Sequence, residues 1–529
     1  MNLRLALRRM LNQPRQTHRG HRNRPAGEAL SADLERNLAA IKATLRNPSD
    51  LTIRSLSVSG KPPANISVVF LSSMADSAMV RSAIVEPFTS LSHAARDSVT
   101  NSADLVEKIR INLPVARPTS SVNSMNALIA GLLEGKAAVL IDGVREALCI
   151  DAAVQKARAL EQPAAESTVL GPQMGLTESL DDSLALIRSR LRHPNLRVER
   201  TVIGKKSRTE VRMLYLEEVA PREIVSELRR RLKAIDTDVI LDVGMIRELI
   251  GDRPYSPFII ERLTERPDTV VGELNLGRIA ILMEGSPFAL LQPSQFFTLF
   301  ESAEDYYMNP WLTSALRITR MLAYIISTIA TPFYVAVVNY HRELVPLRLL
   351  LNIAATQEGV PFPLPATALV TEIVLDIVRE AGIRLPQHFG PAVSIVGALV
   401  LGQSAVQAGF VPPGLIIVVM FATIASFAVP RAEKALAYRL LRFPLLLLAS
   451  TLGFPGLAIG TVAIIYHLAS LKTLGIPYFT LYSPGHVSRL AKKVIRVPAA
   501  LQPTTRPLAQ RDRVARGPVP KLRDPVDND

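Results

Sequence analysis

The chain has 529 residues, too long for one ordinary domain and long enough for about three to four units. Hydrophobic residues make up 48% and the mean hydropathy is +0.21 despite 61 Lys and Arg, an average that hides one soluble and one apolar population. The net charge of +14 sits largely in the two ends, and the single cysteine excludes an intrachain disulfide framework and any Cys-based zinc site.

Residues 1–30 read as a basic disordered arm, with Arg4, Arg8, Arg9, Arg15, Arg19, Arg22 and Arg24 and no acid before Glu28. MNLRLALRRM lacks an uninterrupted apolar core and a cleavage site, so it is no secretory signal; a short amphipathic interfacial helix is the alternative. The arm therefore leaves the following domain on the cytoplasmic side.

A soluble lobe over 31–161 and a second over 176–305 form a tandem duplication. Leu34, Leu38, Ile41, Leu45, Arg46 and Pro48 align with Leu180, Leu184, Ile187, Leu191, Arg192 and Pro194. That spacing makes a helix with one buried face, stopped by proline. A Gly-Lys turn follows in each copy, Gly60-Lys61 and Gly204-Lys205, and then the β-like runs NISVVFL and EVRMLYL. GKAAVLIDG (135–143) matches GRIAILMEG (277–285), an apolar strand between two turns. Cys149 reads as a small buried strand residue. The linker is QPAAESTVLGPQMG (162–175).

No catalytic signature accompanies these lobes. GKKS at 204–207 resembles a phosphate loop only superficially, because Glu199 stands where its first glycine belongs and a strand follows. Asp142 and Glu284 occupy equivalent turns, which explains them better than a catalytic pair does. HExxH, GxSxG and clustered histidines are absent from the sequence, so no enzyme activity and no cofactor are expected.

Residues 306–485 read as a helical membrane domain with four or five spans. Met321–Tyr340 is an uncharged run of twenty residues, enough to cross ~30 Å of hydrocarbon, with Pro332 as an expected kink. Gly390–Val411, Leu415–Val429 and Phe443–Leu471 are the further runs, the last interrupted at Gly453-Phe454-Pro455-Gly456. NIAATQEGVPFPLP is expected to be irregular interfacial chain, and Arg431–Arg442 a loop. The stretch 366–382 is amphipathic: Glu372 and Asp376 share a face, either lining a water path as candidate cation attractors or solvated on a surface helix. Gln403, Ser404 and Gln407 lie among small residues and suit interhelical hydrogen bonding or a pore wall.

Residues 486–529 form a basic tail, with ten Lys or Arg against four Asp. Interleaved aromatics, RNP-like strands and zinc-finger spacing are absent, so the partner is the anionic membrane surface and not nucleic acid. A cytoplasmic tail satisfies the positive-inside rule, but with four spans the Arg431–Arg442 loop then lies outside, unless 443–471 is a re-entrant hairpin. The expected fold is thus an α+β tandem-duplicated soluble N-terminal domain followed by an α-helical polytopic membrane domain.

Residues 30–485 resemble the A-subunit of spore germinant receptors, the GerA family. The resemblance is carried by GLTESLDDSLALIRSRLRHPNLRVE, RRRLKAIDTDVILD, ERPDTVVGELNLGRIAILMEGSPFALL, FFTLFESAEDYY, EGVPFP, EAGIRLPQHFGPAVSIVGALVLGQSAVQAG, IASFAVP, LLRFPLLLLASTLGFPG and HLASLKTLGIPY, in that order. It implies a subunit of the spore inner membrane, with a transporter-like B-subunit that senses the nutrient and a lipoprotein C-subunit as partners. It further implies a homo-oligomeric ring whose membrane helices form a germinant-gated channel for monovalent cations, signalled through residues 286–320. The alternatives are a secondary transporter, for which the membrane half shows no inverted repeat, and the A-like paralogue of the dipicolinate-channel operon. The SAEDYY block favours the receptor subunit, whereas RPYSPFIIE (253–261) is more apolar than the Pro-rich linker expected there.

Overall fold

The computed structural model describes residues 29–58, 64–86, 119–153, 163, 166, 168–253, 255–384, 402–430, 432–479 and 494–496. The basic arm before residue 29, the Gly60-Lys61 turn, residues 390–401 of the expected second span and most of the basic tail lie outside these. The chain divides into two compact units, Met1–Gln155 and Lys156–Asp529.

The first unit begins with α1 (Leu34–Leu45), whose N-terminus is held by Asp33, its carboxylate accepting from the Glu35 and Arg36 amides. Leu34, Leu38, Ile41 and Leu45 are buried on one face, and α1 ends at Arg46 in the left-handed region (φ 54°) ahead of Pro48. Five antiparallel strands follow: β1 (Leu51–Val58), β2 (Ala64–Leu71), β3 (Thr119–Val122), β4 (Lys136–Ile141) and β5 (Ala147–Asp151), in spatial order β1-β2-β4-β5-β3. Helix α2 (Met125–Leu133), capped by Ser124, packs with α1 on one sheet face around Leu38, Ile41, Val69, Leu128 and Leu140. Ile66, Val68, Val139, Leu148 and Ile150 form a second cluster with Val80 and Ile84. Strands covered on both faces lose the strict polar alternation, as KAAVLI does.

The second unit opens with the same plan. Helix α3 (Leu180–Arg190) precedes β6 (Leu196–Ile203) and β7 (Thr209–Leu216). Then come α4 (Arg222–Ala234), α5 (Val243–Ile250), β8 (Arg262–Thr264), α6 (Pro267–Asn275), β9 (Ile279–Met283) and β10 (Ala289–Gln292). The strand order is β6-β7-β9-β10-β8, strand for strand that of the first lobe. Asp142 Oδ1 accepts from the first amide of α1, Leu34 N, at 3.3 Å, and Glu284 Oε2 accepts from the first amide of α3, Leu180 N, at 3.0 Å. The two equivalent carboxylates therefore satisfy orphan helix amides in each lobe. Lobe 2 adds α4 and α5, whose Ile224, Leu228, Leu232 and Ile246 cover Val211, Met213 and Ile281.

The GKKS turn makes a tight link between β6 and β7, with Gly204 at φ 89°. Its amides are engaged: Lys205 N donates to Thr237 O, and Lys206 N and Ser207 N to Asp238 O. Lys205 and Lys206 pair with Asp236 and Asp238 at 2.6 and 2.7 Å.

The same unit continues into helices α7 (Pro310–Tyr340), α8 (Leu347–Gln357), α9 (Leu364–Arg384), α10 (Pro413–Phe427), α11 (Ala432–Leu452) and α12 (Phe454–Ser470), and a short hairpin of β11 (Lys472–Thr473) and β12 (Ile476–Pro477). Among the described residues, one helix is long and apolar enough by itself to cross a membrane: α7, with 31 residues, continuous through Pro332. Helices α10 and α12 are shorter apolar helices.

Three sequence expectations change here. The stretch expected to be an Arg431–Arg442 loop is, from Ala432, the first half of α11, and its Arg442 pairs with Glu372 within the bundle. NIAATQEGVPFPLP is helical up to Gln357, as part of α8. Phe443–Leu471 is the second half of α11 and all of α12, parted at Gly453, which adopts φ 63°. There α12 folds back on α11 so closely that a Cβ at Gly456 would clash with Leu448 O.

Side-chain partners give the helix directions. Helix α9 runs antiparallel to α7, because Thr331 meets Glu372 while Val335 and Val338 pack with Leu364 and Ala368. Helix α10 starts beside Tyr334, and Val429, just past its end, clusters with Met321. Helix α11 is parallel to α7: Leu441 clusters with Met321 and Tyr324, and Tyr340 Oη donates to Ser450 O at 2.6 Å. Helix α12 returns, from Phe454 stacked on His341 at 4.5 Å to Leu468 in the Met321 cluster. The bundle thus has a lobe level, where α7 begins, and a distal level, where it ends.

Candidate functional site

Two polar clusters stand out in the second unit. The first lies inside the helical bundle. Glu372 on α9 has no solvent exposure; Thr331 on α7 donates to its Oε1 at 2.7 Å, and Arg442 on α11 reaches Oε2 at 2.8 Å. One turn on, Asp376 accepts from Arg379 at 3.2 Å and lies 3.8 Å from Arg442. The Arg379 guanidinium also sits over the Phe427 ring, 5.2 Å from its centroid. A buried carboxylate is tolerable only when paired and hydrogen-bonded. Glu372 is therefore not solvated on a surface helix, and neither it nor half-buried Asp376 is bare: together they join α7, α9 and α11 in one polar layer.

Gln403, Ser404 and Gln407 lie in the short helical stretch 402–407 and are exposed. Among the described residues, no hydrogen bond or ion pair connects them to Glu372 or Asp376. Gly402 and Ala405 from the same stretch line an apolar cavity of about 510 Å³ with Val370, Val374 and Met420.

The second cluster joins lobe 2 to the bundle. Asp305, fully buried, accepts from Arg317 Nε at 2.7 Å and Arg320 Nη1 at 2.8 Å, the two arginines in the early turns of α7. Arg320 also donates to Phe300 O at 3.0 Å, and Thr313 to Asp305 O at 3.3 Å. Neighbouring Tyr307 donates to Asp268 at 2.7 Å. Burial alone would raise the Asp268 carboxyl, but hydrogen bonds from Arg266 and then Tyr307 outweigh it and hold the pKa below the ordinary value. Deeper in lobe 2, Glu273 bridges buried Arg262 and Arg278.

The bundle also ends on lobe 2. The turn of the β11–β12 hairpin inserts Leu474 into the lobe-2 core beside α4 and α5, and Leu474 N donates to Asp252 Oδ2 at 2.7 Å. Asp252 is in turn held by Arg231 at 2.5 Å. On α12, His467 hydrogen-bonds Ser256 at 3.0 Å and stacks on Phe258. Phe296, Phe300, Tyr324 and Tyr478 fill the space between with edge-to-face contacts. Lobe 2 is thus clamped to both the first and the last helix of the bundle.

Asp305, Leu474 and Arg442 were not singled out from the sequence. The signal for Asp305 was Arg317 and Arg320 at the mouth of an apolar run, which need an anion. Arg442 was hidden by its assignment to a loop. Leu474, between Thr473 and Gly475, carries no pattern of its own. Among the described residues, no group of three or more His, Cys, Asp or Glu side chains is arranged to hold a metal.

Comparison with known proteins gives these features a family. Over 469 residues the chain is 35% identical to Spore germination protein KA of Bacillus subtilis (strain 168), covering 89% of this chain and 85% of that protein. Over 472 residues it is 36% identical to Spore germination protein GerLA of Bacillus cereus, covering 89% and 94%. The crystal structure of the N-terminal domain of the A subunit of the Bacillus megaterium spore germinant receptor GerK3 aligns over 51% of this chain and 98% of its own, with 26% identity and a TM-score of 0.39. Residues 39–508 match the Bacillus/Clostridium GerA spore germination protein family, and the chain belongs to that family.

Proposed function

We propose that the chain is the membrane-spanning A-subunit of a nutrient germinant receptor, working in the spore inner membrane with a transporter-like B-subunit and a lipoprotein C-subunit. The observation that carries the membrane reading is a skin of exposed large apolar side chains around the helical bundle. It includes Leu322 and Phe333 on α7, Val370 and Ile377 on α9, Ile417 and Phe421 on α10, Leu440 and Leu447 on α11, and Ile459 and Val462 on α12. So extensive an apolar surface is untenable in water and ordinary in lipid. Met321–Tyr340 rises about 30 Å at helical pitch, the thickness of the hydrocarbon core.

On this reading the lobe level faces the spore core. Arg317 and Arg320, in the early turns of α7, lie toward that level, as the positive-inside rule requires. The lobes receive the germination signal, and the Asp305 cluster and the Leu474 hairpin pass it to α7 and α12. A homo-oligomeric ring of bundles conducts monovalent cations, with Gln403, Ser404 and Gln407, exposed on one copy, facing the pore.

The test is germination of spores lacking this chain. Loss of optical density after addition of the cognate nutrient mixture should be abolished by deletion and restored by the chain supplied in trans. Spores that respond at wild-type rate to every nutrient mixture would contradict the reading.

A further inference from the structure

Helix α8, Leu347–Gln357, has no buried residue. Its contact with the bundle is slight: Ile353 is half-buried against the cluster of Val335, Val338 and Leu364. The remaining surface is two-sided. Arg348, Asn352 and Thr356 recur at intervals of four and form one polar stripe. Leu347 and Leu351, four residues apart, form an apolar one. These leucines are 69% and 60% exposed.

The position of α8 in the chain says what covers them. Helix α7 ends at the distal level, and α9, antiparallel to it, begins there, with Leu364 beside Val338. The stretch between them starts and finishes at one depth. At 11 residues α8 is about 16 Å long, roughly half the hydrocarbon thickness, so it cannot cross. Its leucine stripe also continues an apolar skin already present on its neighbours: Phe333 and Tyr340 on α7, Phe362 before α9 and Val370 on α9 are all exposed.

We infer that α8 is an interfacial helix that lies along the distal surface of the bilayer. Leu347 and Leu351 sink into the acyl region, and Arg348, Asn352 and Thr356 face headgroups and water. The inference rests on the membrane reading above and adds a lipid-binding element between the first two spanning helices. An in-plane helix there ties the distal ends of α7 and α9 to the lipid surface, so movement of either helix must drag α8 across the interface.

The test uses the full chain in vesicles of phosphatidylethanolamine and phosphatidylglycerol. Single cysteines are placed at Leu347, Leu351, Arg348 and Asn352 in a Cys149→Ala background and labelled with an environment-sensitive dye. A cysteine at Phe333 on α7 reports the membrane reading itself. Nitroxide-labelled lipid should quench the dyes at 347 and 351 by half or more, as at 333, and leave those at 348 and 352 nearly unchanged. Quenching at 333 without quenching at 347 and 351 would overturn the role of α8 alone. Dyes at 347 and 351 that also resist aqueous iodide would then show a second copy covering the stripe. Equal quenching at all four α8 positions would exclude a two-sided helix, and no quenching at 333 would overturn the membrane reading as well.

Discussion

A carboxylate without solvent contact inside a helical bundle needs a counter-charge, and Arg442 supplies it to Glu372. Removing one partner strands the other charge, at a cost of about 3–5 kcal/mol, whereas replacing both by uncharged groups of similar size is far milder. Glu372→Gln and Arg442→Met should each lower the thermal stability of the solubilised chain, and the double variant should recover most of the loss. Losses that simply add would show that the two side chains do not act as a pair. Asp268 gives a pH-dependent counterpart outside the bundle. Its folded pKa is lowered, so its stabilisation is complete above the unfolded value of about 3.9 and is lost as pH falls through the folded value. Amide exchange across α6 should therefore accelerate below about pH 4, and Asp268→Asn should flatten that acid limb. The acids Glu372 and Asp376 were legible in the sequence because charges in an apolar helix are conspicuous. Their partners were not, since pairing between α9 and α11 depends on packing that no local pattern encodes.

At the scale of elements, the α11–α12 hairpin depends on missing side chains. A Cβ at Gly456 would meet backbone, Leu448 O, and one at Gly460 would lie 2.6 Å from Leu445 Cδ2. Gly456→Ala should force the helices apart and cost about 1–3 kcal/mol. Gly402→Ala, where the nearest atom is Ile416 Cδ1 at 3.9 Å, should be neutral or gain up to about 1 kcal/mol. Thermal unfolding of the two variants side by side checks the contrast, and equal losses would contradict it. The soluble lobes were the most legible elements: the Leu34–Leu45 and Leu180–Leu191 stripes and the paired apolar strands carry their periods openly. The duplication reaches the strand order, which matches in the two sheets. Helix ends in the bundle were less legible. Arginine-rich sequence before an apolar run reads as a loop, yet Glu372 and Asp376 absorb the Arg442 charge inside a helix.

At the scale of the whole chain, helix directions bear on the conflict in the charge pattern. Helices α9, α10 and α12 each run from the distal level to the lobe level, antiparallel to α7 and α11. Helix α12 thus brings the hairpin that follows it back to lobe 2, where Leu474 enters its core. The start of α11 at Ala432 then falls on the lobe side, Arg442 at its middle meets Glu372 inside the bundle, and the α11–α12 turn at Gly453 falls on the far side. Counting four or five runs by apolarity obscured this, because α9 and α11 carry charges that lower their hydropathy. The central claim is that the bundle crosses a bilayer with lobe 2 and the β11–β12 hairpin on one side and the α7–α8 connection on the other. Its most direct test is an impermeant maleimide applied to right-side-out and inside-out membrane vesicles. The targets are single cysteines at the exposed positions Lys472 and Glu343. Each should react in one vesicle orientation only, and the two in opposite orientations; reaction of both from the same side would contradict the account.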